Sequence, residues 1–477
     1  MSMIFNKLID PSKKTYITVF VLLSLSYLLN LKNVQFTGEE GVYTIMSYEM
    51  WYHQNWLTAT HYGEPYWRPP LFNWLIISLS HIFGWENSLA CARFISGMSS
   101  VISGLALYGF IKKVYQDTDR AWITAIAYLA SWQVLANYGW LAYSDAIFGL
   151  FCLLAMLSGY LAIYEERMKW FLFACMAAYA AMLVKAITGF VFYSVVVLVS
   201  MAIYKKWRFA FSIKNIFLHC LALVAIAAWH LLIPGGESTG SGMFNDVLQK
   251  FSGPSLIDYV IHLMSFPLIT WLNLLPISIF VIYLFIKNRK FNSEPIEKHL
   301  KVIILASLIN FLPYWLSPQG HNRYVLPLYG FFALILVGLM YQYANVKHPS
   351  NSESISWRRH FLRIVLILLL VKVLAAVWLF PLYTKKVRPD VELIAQDVMQ
   401  IVNASDQKLY ASDGAWLGIA VAFTIDVARY PKPPLLMPPA DLNDGFILHH
   451  ANDPQVGNLF KSYKNKTFLL CRGKACQ

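Results

Sequence analysis

"SDAIFGLFCLLAMLSGYLAIYEERMKWFLFACMAAYAAMLVKAITGFVFYSVVVLVSMAIYKKW", Ser144 to Trp207, holds three apolar segments at 144–163, 170–184 and 187–204. Each is long enough, or nearly so, to cross roughly 30 Å of hydrocarbon as a helix. The polar residues between them alternate in kind. Arg167 and Lys169 follow the first segment, Lys185 alone stands between the second and third, and Lys205-Lys206 follow the third. Three crossings therefore put Asp145 and Lys185 at one membrane face and the cationic clusters at the other.

The pattern extends in both directions. Of 477 residues 57% are hydrophobic and 14% charged, a balance rarely seen in a soluble domain of this size. The chain reads as a polytopic α-helical membrane protein with eleven spans: 15–31, 92–111, 121–138, 144–163, 170–184, 187–204, 214–233, 261–286, 301–316, 324–343 and 361–382. The first lacks a small-residue cleavage site and reads as a retained anchor. With the N-terminus inside, Lys112-Lys113, Arg167 with Lys169, Lys205-Lys206 with Arg208, the Lys287 to Lys290 cluster and Arg358-Arg359 all face the cytoplasm, as the positive-inside rule requires. Eleven crossings leave the C-terminus outside. Leu71 to Phe83 is apolar but short and follows Pro69-Pro70, so it reads as an interfacial or partly inserted helix; counted as a twelfth span it would invert every later loop. The net charge of +13 resides mainly in these cytoplasmic anchors, which suit anionic membrane lipid and call for no nucleic acid.

The outer face carries the chemistry. A loop over 32–91 opens with Glu39-Glu40 in "GEEGVY" and continues with Trp51, Tyr52, Trp56, Tyr62, Tyr66 and Trp67, a composition suited to the headgroup level. Asp145 begins the fourth span, Lys185 sits in the tight outer turn "VKAITG", and "QGHNRYVLPLY" brings His321, Arg323 and Tyr324 to the outer start of the tenth. Ionisable groups gathered at membrane ends on one side are costly unless they are paired or used. A carboxylate can take a proton from an attacking hydroxyl, and Lys and Arg can hold a leaving phosphate by charge-assisted hydrogen bonds. At an outer bilayer edge the activated donor such groups would meet is a polyprenyl-phosphate-linked sugar.

The order of these motifs resembles the C-type (GT-C) membrane glycosyltransferase superfamily, in the branch of protein O-mannosyltransferases and the lipid A aminoarabinose transferase. "GEEGVY" is similar to that branch's acidic pair followed by Tyr, "PYWRPPLFNW" to its aromatic, basic Pro-Pro turn, and "SDAIF", "VKAITG" and "NRYVLP" follow in the family's order. The resemblance spans roughly 15–340. It implies Glu39 as catalytic base with Glu40 beside it, Asp145 as a further acidic site residue, and Arg68, Lys185 and Arg323 facing the donor phosphate. Tyr43, Tyr66, His321, Tyr324 and His262 are weaker substrate-binding candidates. Three departures stand out: the family's usual first acid is Asp, where the lipid A branch often has a Glu metal ligand this chain has Trp67, and Ala186 and Ile187 follow Lys185 where the family commonly has a Gly. A divalent metal is thus possible, without its expected ligand.

Residues 234–260 include "PGGESTGSG" with Asp246 and Lys250 further on, a flexible connector or a lid, and His262 at its end caps a span or touches substrate. Beyond 382 the composition turns polar. Residues 383–477 read as a small α/β periplasmic domain, with elements in "VELIAQDVMQIVNA", "KLYASD", "GFILHH" and "KTFLLC", beside a transmembrane part over 1–382. His449-His450 have no spaced partner ligands. Cys91, Cys152, Cys175 and Cys220 lie in or beside apolar spans, whereas Cys471 and Cys476 lie outside, where a disulfide persists. The leading reading is a bacterial inner-membrane glycosyltransferase moving sugar, with inversion, from a polyprenyl-phosphate donor to a lipid, glycan or protein acceptor. The alternatives are a transporter or flippase of lipid-linked sugars and an inactive relative; no repeat with paired broken helices is evident in the sequence, which weighs against transport.

The topology is open to a direct test. In a Cys-free background, an impermeant thiol reagent added outside should label a cysteine placed at residue 240 and leave one at residue 117 untouched; the reverse pattern would invert the membrane orientation.

Overall fold

The computed structural model describes residues 11–32, 39–66, 68–185, 187–232, 255–287, 296–318, 320–344, 352–387, 391–412, 416–463 and 467–477. It is a multi-pass helical membrane fold with a small sheet near the C-terminus, divided into two compact units. Among the described residues six helices are long and apolar enough to cross a membrane, or seven if one bent pair counts as a single span. The helices Met168–Val184 and Thr188–Tyr204 are apolar and 17 residues each, at the short end of the spanning range.

The first unit comprises Met1–Leu29, Ser96–Trp140 and Ser144–Val373. Its innermost element is the helix Ser144–Glu165, apolar on every face and almost wholly buried. Met168–Val184 and Thr188–Tyr204 pack along it. Close approach depends on glycine: a Cβ on Gly159 would lie 2.8 Å from the Tyr193 ring, and one on Gly189 2.7 Å from the Ala181 methyl. The peripheral helix Ile213–Leu232 instead exposes Phe217, Leu223 and Val224, as a lipid-facing helix should.

Two expected spans are broken, and the breaks answer each other. The segment read as 121–138 is an α-helix only over Thr118–Ala130, then continues as a π-helical turn over Gln133–Asn137. The segment read as 261–286 is two helices, Leu256–Leu272 and Ile277–Lys287, bent by 87°. Pro276 lacks an N–H and disfavours helical backbone at the residue before it, which ends the first of the two. The carbonyls freed at this break accept from the other: Trp132 N donates to Leu275 O at 2.9 Å and Gln133 N to Asn273 O at 3.0 Å. Unpaired backbone groups at membrane depth cost several kcal/mol each, so each irregular segment makes the other tolerable.

The second unit comprises Asn30–Ile95, Leu141–Tyr143 and Leu374–Gln477. Its sheet runs Leu409–Ala411, Gly445–His449, Thr467–Arg472, Asn458–Tyr463; the first pair is parallel and the others antiparallel. The helices Val391–Ser405 and Trp416–Arg429 cover it, placing Val398, Ala422 and Ile425 against Phe446, Leu448 and Leu469. Ile45 and Tyr62, from the segment read as an outer loop of the membrane part, lie in this same core. The helix Glu39–Tyr52 therefore shares its hydrophobic interior with the C-terminal residues. Cys471 and Cys476 are disulfide-bonded with Cα atoms 5.2 Å apart, fixing the last 3-10 turn to the end of a strand.

One buried acid makes this unit sensitive to pH. Asp426 is 2% exposed and accepts from Leu435 N at 2.8 Å. Burial pushes its carboxyl up to about 7, with Glu49 acting in the same direction and Leu435 N and Arg429 opposing. A raised carboxyl binds a proton more readily folded than unfolded, so its contribution is fully present below about pH 4 and is lost as pH rises through about 7. The loss is on the order of 4 kcal/mol. Asp426→Asn, neutral throughout, should unfold at a higher temperature than the parent near pH 8 and lose that advantage near pH 5, as read by thermal unfolding; equal differences at both would refute the assignment.

Candidate active site

The helix Glu39–Tyr52 begins on two carboxylates, the sign of charge a helix N-terminus favours. They meet different surroundings. Glu40 is wholly buried, as is Arg93, and the two form a two-pronged pair, Nε to Oε1 at 2.9 Å and Nη2 to Oε2 at 3.0 Å. Arg93 Nη1 also donates to the carbonyls of Asn30 at 3.0 Å and Leu31 at 3.2 Å, and Ala142 N donates to Glu40 Oε1 at 3.1 Å. One ion pair thus joins four separate stretches of chain. Glu39 is only half-buried, one helical turn before Tyr43 and on the same side of the helix. Tyr43 is buried edge-on against Phe72, 5.2 Å between centroids, in the helix Leu71–Phe83 that follows Pro69-Pro70.

Arg68 is half-buried in the same unit. Its guanidinium lies 5.7 Å from the Tyr66 ring centroid, and the Arg68 backbone N–H donates to Tyr66 O at 2.7 Å. Tyr66 rests in turn against His61, ring centroids 5.8 Å apart. Trp67 lies outside the described residues, as do Asp246, Lys250 and most of the 234–260 connector.

In the first unit, chain direction gathers the remaining charges. Asp145 stands in the first turn of Ser144–Glu165 and Lys185 caps the end of Met168–Val184, so two successive antiparallel helices bring them to one end. Lys185 Nζ forms an ion pair with Asp145 Oδ1 and lies 4.9 Å from the centroid of Tyr324. Arg323 lies 5.5 Å from the same ring, and His321 approaches it edge-on at 5.5 Å. The 3-10 turn Asn322–Leu328 presents these residues and packs against Ser144–Glu165. Two cations on one aromatic ring, one of them tied to a carboxylate, make an arrangement able to hold an anionic oxygen.

His262 serves a different purpose. Its Nε2 donates to Trp315 O at 3.1 Å while Trp315 Nε1 donates to Leu263 O at 2.7 Å, a reciprocal tie between Leu256–Leu272 and Lys298–Leu316. Among the described residues no three His, Cys, Asp or Glu side chains stand close enough to hold a metal ion. Arg93 is the important residue that the sequence reading did not single out. It lies inside an apolar segment, and the usable signal was there: a guanidinium within a hydrophobic helix needs a carboxylate, and Glu40 belongs to an unexplained acidic pair.

Comparison with known proteins bears on this arrangement. A family model described as dolichyl-phosphate-mannose-protein mannosyltransferase matches residues 67–233. No curated protein sequence matches the chain. Among the solved structures that share its fold are two of one protein. The crystal structure of ArnT from Cupriavidus metallidurans bound to undecaprenyl phosphate superposes with a TM-score of 0.68 and 15% identity, covering 96% of this chain and 98% of that one. The apo state of the same protein gives 0.66 and 14%, covering 97% and 99%. At such identities the likeness establishes the fold, and the resemblance to the GT-C mannosyltransferase and ArnT group stands on both findings.

The buried pair can be tested apart from activity. Arg93→Met leaves the buried Glu40 charge without its guanidinium and should destabilise the protein by about 3 to 5 kcal/mol. Arg93→Met combined with Glu40→Gln should recover much of that loss in thermal unfolding. A double variant as unstable as the sum of the singles would show that the two side chains act independently.

Proposed function

We propose that this protein is a membrane glycosyltransferase that takes a sugar from a polyprenyl-phosphate-linked donor and passes it, with inversion, to a hydroxyl of a lipid, glycan or protein. The observation that carries the reading is the cluster of Asp145, Lys185 and Arg323 around Tyr324, three charges brought together from segments far apart in sequence. It occurs in a fold shared with ArnT, which has been solved with undecaprenyl phosphate bound. The resemblance to the lipid A branch suggests the inner membrane of a bacterium, and the charge bias favours a cytoplasmic N-terminus with the second unit periplasmic.

The roles follow from the chemistry. The acceptor oxygen attacks the anomeric carbon as the bond from that carbon to the phosphate oxygen breaks, and Glu39 takes the acceptor's proton. Glu40, locked by Arg93, anchors the start of the helix that carries Glu39. Breaking the glycosyl bond turns a phosphodiester into a more highly charged monoester, so Lys185, Arg323 and Arg68 stabilise the leaving group more strongly than the bound donor. Asp145 orients Lys185. Tyr43, Tyr66, His321 and Tyr324 frame the substrate.

Glu39→Gln should lower turnover by about 100- to 10,000-fold while donor binding stays within about twofold, whereas Lys185→Ala should weaken both. Glu39→Asp should retain partial activity. Transfer at the parent rate by Glu39→Gln would rule out the base assignment. Passage of lipid-linked sugar across vesicles without any transfer would replace the enzyme with a transporter.

A further inference from the structure

A two-residue hairpin precedes Arg68. Thr60–His61 pairs antiparallel with Glu64–Pro65, and the turn between them places Tyr62 at φ +56° and Gly63 at φ +80°. Two successive left-handed residues suit a tight hairpin turn, but a large side chain there is disfavoured, and such a residue persists only where its surroundings over-determine it. Here the surroundings do so. Glu49, wholly buried on the helix Glu39–Tyr52, accepts from Thr60 Oγ1 at 2.5 Å, Tyr62 N at 2.6 Å and Gly63 N at 3.1 Å. Tyr62 itself is 2% exposed.

The other side of the turn is held by the C-terminal region. Met437 N donates to Tyr62 O at 2.8 Å, and a Cβ on Gly63 would come within 2.8 Å of the Leu436 side chain. Leu435 N donates to Asp426, and Ala411 N to Leu436 O at 3.0 Å, which fixes this strap to a helix and to the sheet. On the far side the hairpin sets Arg68: Tyr66 N donates to Ala59 O at 2.9 Å, the Tyr66 ring contacts His61, and Arg68 sits over Tyr66. Burial pushes the Glu49 carboxyl upward against the lowering effect of its three hydrogen bonds. The buried acid thus holds a turn whose first arm, His61 and Tyr62, is buried and whose second, Glu64 and Pro65, is exposed.

We propose that Glu49 is a positioning residue for Arg68: by pinning the strained Tyr62-Gly63 turn between its own helix and the Leu435–Met437 strap, it makes the C-terminal region part of the device that aims this cation at the donor phosphate. The inference rests on the proposed function and gives the second unit a part in donor binding. Glu49→Gln sets an amide donor against a backbone N–H that now has an acceptor, which loosens the turn without a change in side-chain size.

The test uses the full chain in detergent, with undecaprenyl phosphate as the probe. Arg68→Ala should weaken binding by about 10-fold and Glu49→Gln by about 3- to 10-fold. The double variant should bind no more weakly than Arg68→Ala, because Glu49 acts through that guanidinium. Thr60→Val removes one of the three grips at constant volume; it should cost about twofold in the parent background and nothing beside Arg68→Ala, and it serves in place of Glu49→Gln if that variant does not fold. Losses that multiply, or parent-like binding by both Glu49→Gln and Thr60→Val, would overturn the positioning role and leave the proposed function standing. Parent-like binding by Arg68→Ala would overturn it through Arg68. A parent protein that neither binds polyprenyl phosphate nor transfers sugar would remove both.

Discussion

Two opposite charges without water around them, Glu40 and Arg93, set the frame of the second unit. An isolated charge in such a place costs several kcal/mol, and mutual attraction offsets this only where geometry is good and the leftover donors are satisfied. Both conditions hold: the carboxylate meets the guanidinium fork in two bonds, and the remaining nitrogen reaches the carbonyls of Asn30 and Leu31. A pair so placed is weak as a net source of stability but strong as a constraint, because any displacement of residues 30–31, 40, 93 or 142 leaves a buried charge exposed to nothing. The position of Glu39 follows from that of its neighbour, since the helix can start only where Glu40 is held.

The first unit solves a different problem by the same logic. At membrane depth, satisfying the backbone limits what the chain can do, and irregular segments survive only where they are paired. The start of the π-helical turn after Ser131 donates two hydrogen bonds to carbonyls of the bend before Ile277, so two departures from helix cost less together than either would alone. The gathering of charges at the helix ends is simpler. Antiparallel helices joined by a short turn bring the start of one beside the end of the next, which is why Asp145 meets Lys185 across forty residues of sequence.

The helical membrane character, the small sheet near the C-terminus and the family resemblance were legible because each depends on local composition or on the order of short motifs. The Lys185 and Arg323 pairing with Tyr324 was half legible: the sequence placed all three at one membrane face, but not on one ring. What could not be read depends on long-range contact. A hydropathy profile sees no difference between a straight span over 261–286 and two helices bent by 87°, because Pro276 sits among residues as apolar as any other. Likewise Ile45 and Tyr62 gave no sign that they share a core with Val398 and Leu469, since burial against a distant segment leaves no periodic mark in a short helix. Glu49 passed unnoticed for the same reason, two of its three partners being backbone N–H groups that any sequence has.

Under the proposed reaction the leaving phosphate gains charge as the glycosyl bond breaks, so cations near it favour the transition state over the bound donor, but only if they are already in place. Lys and Arg side chains are flexible, and holding them otherwise falls to binding energy drawn from the substrate. Lys185 is restrained by Asp145 and Tyr324, and Arg323 by the same ring. An aromatic face attracts both cations without neutralising either, unlike a second carboxylate, which would lower the pull on phosphate that the reaction needs. Asp145 thus directs the flexible lysine, and the Tyr324 face supports the planar guanidinium of Arg323.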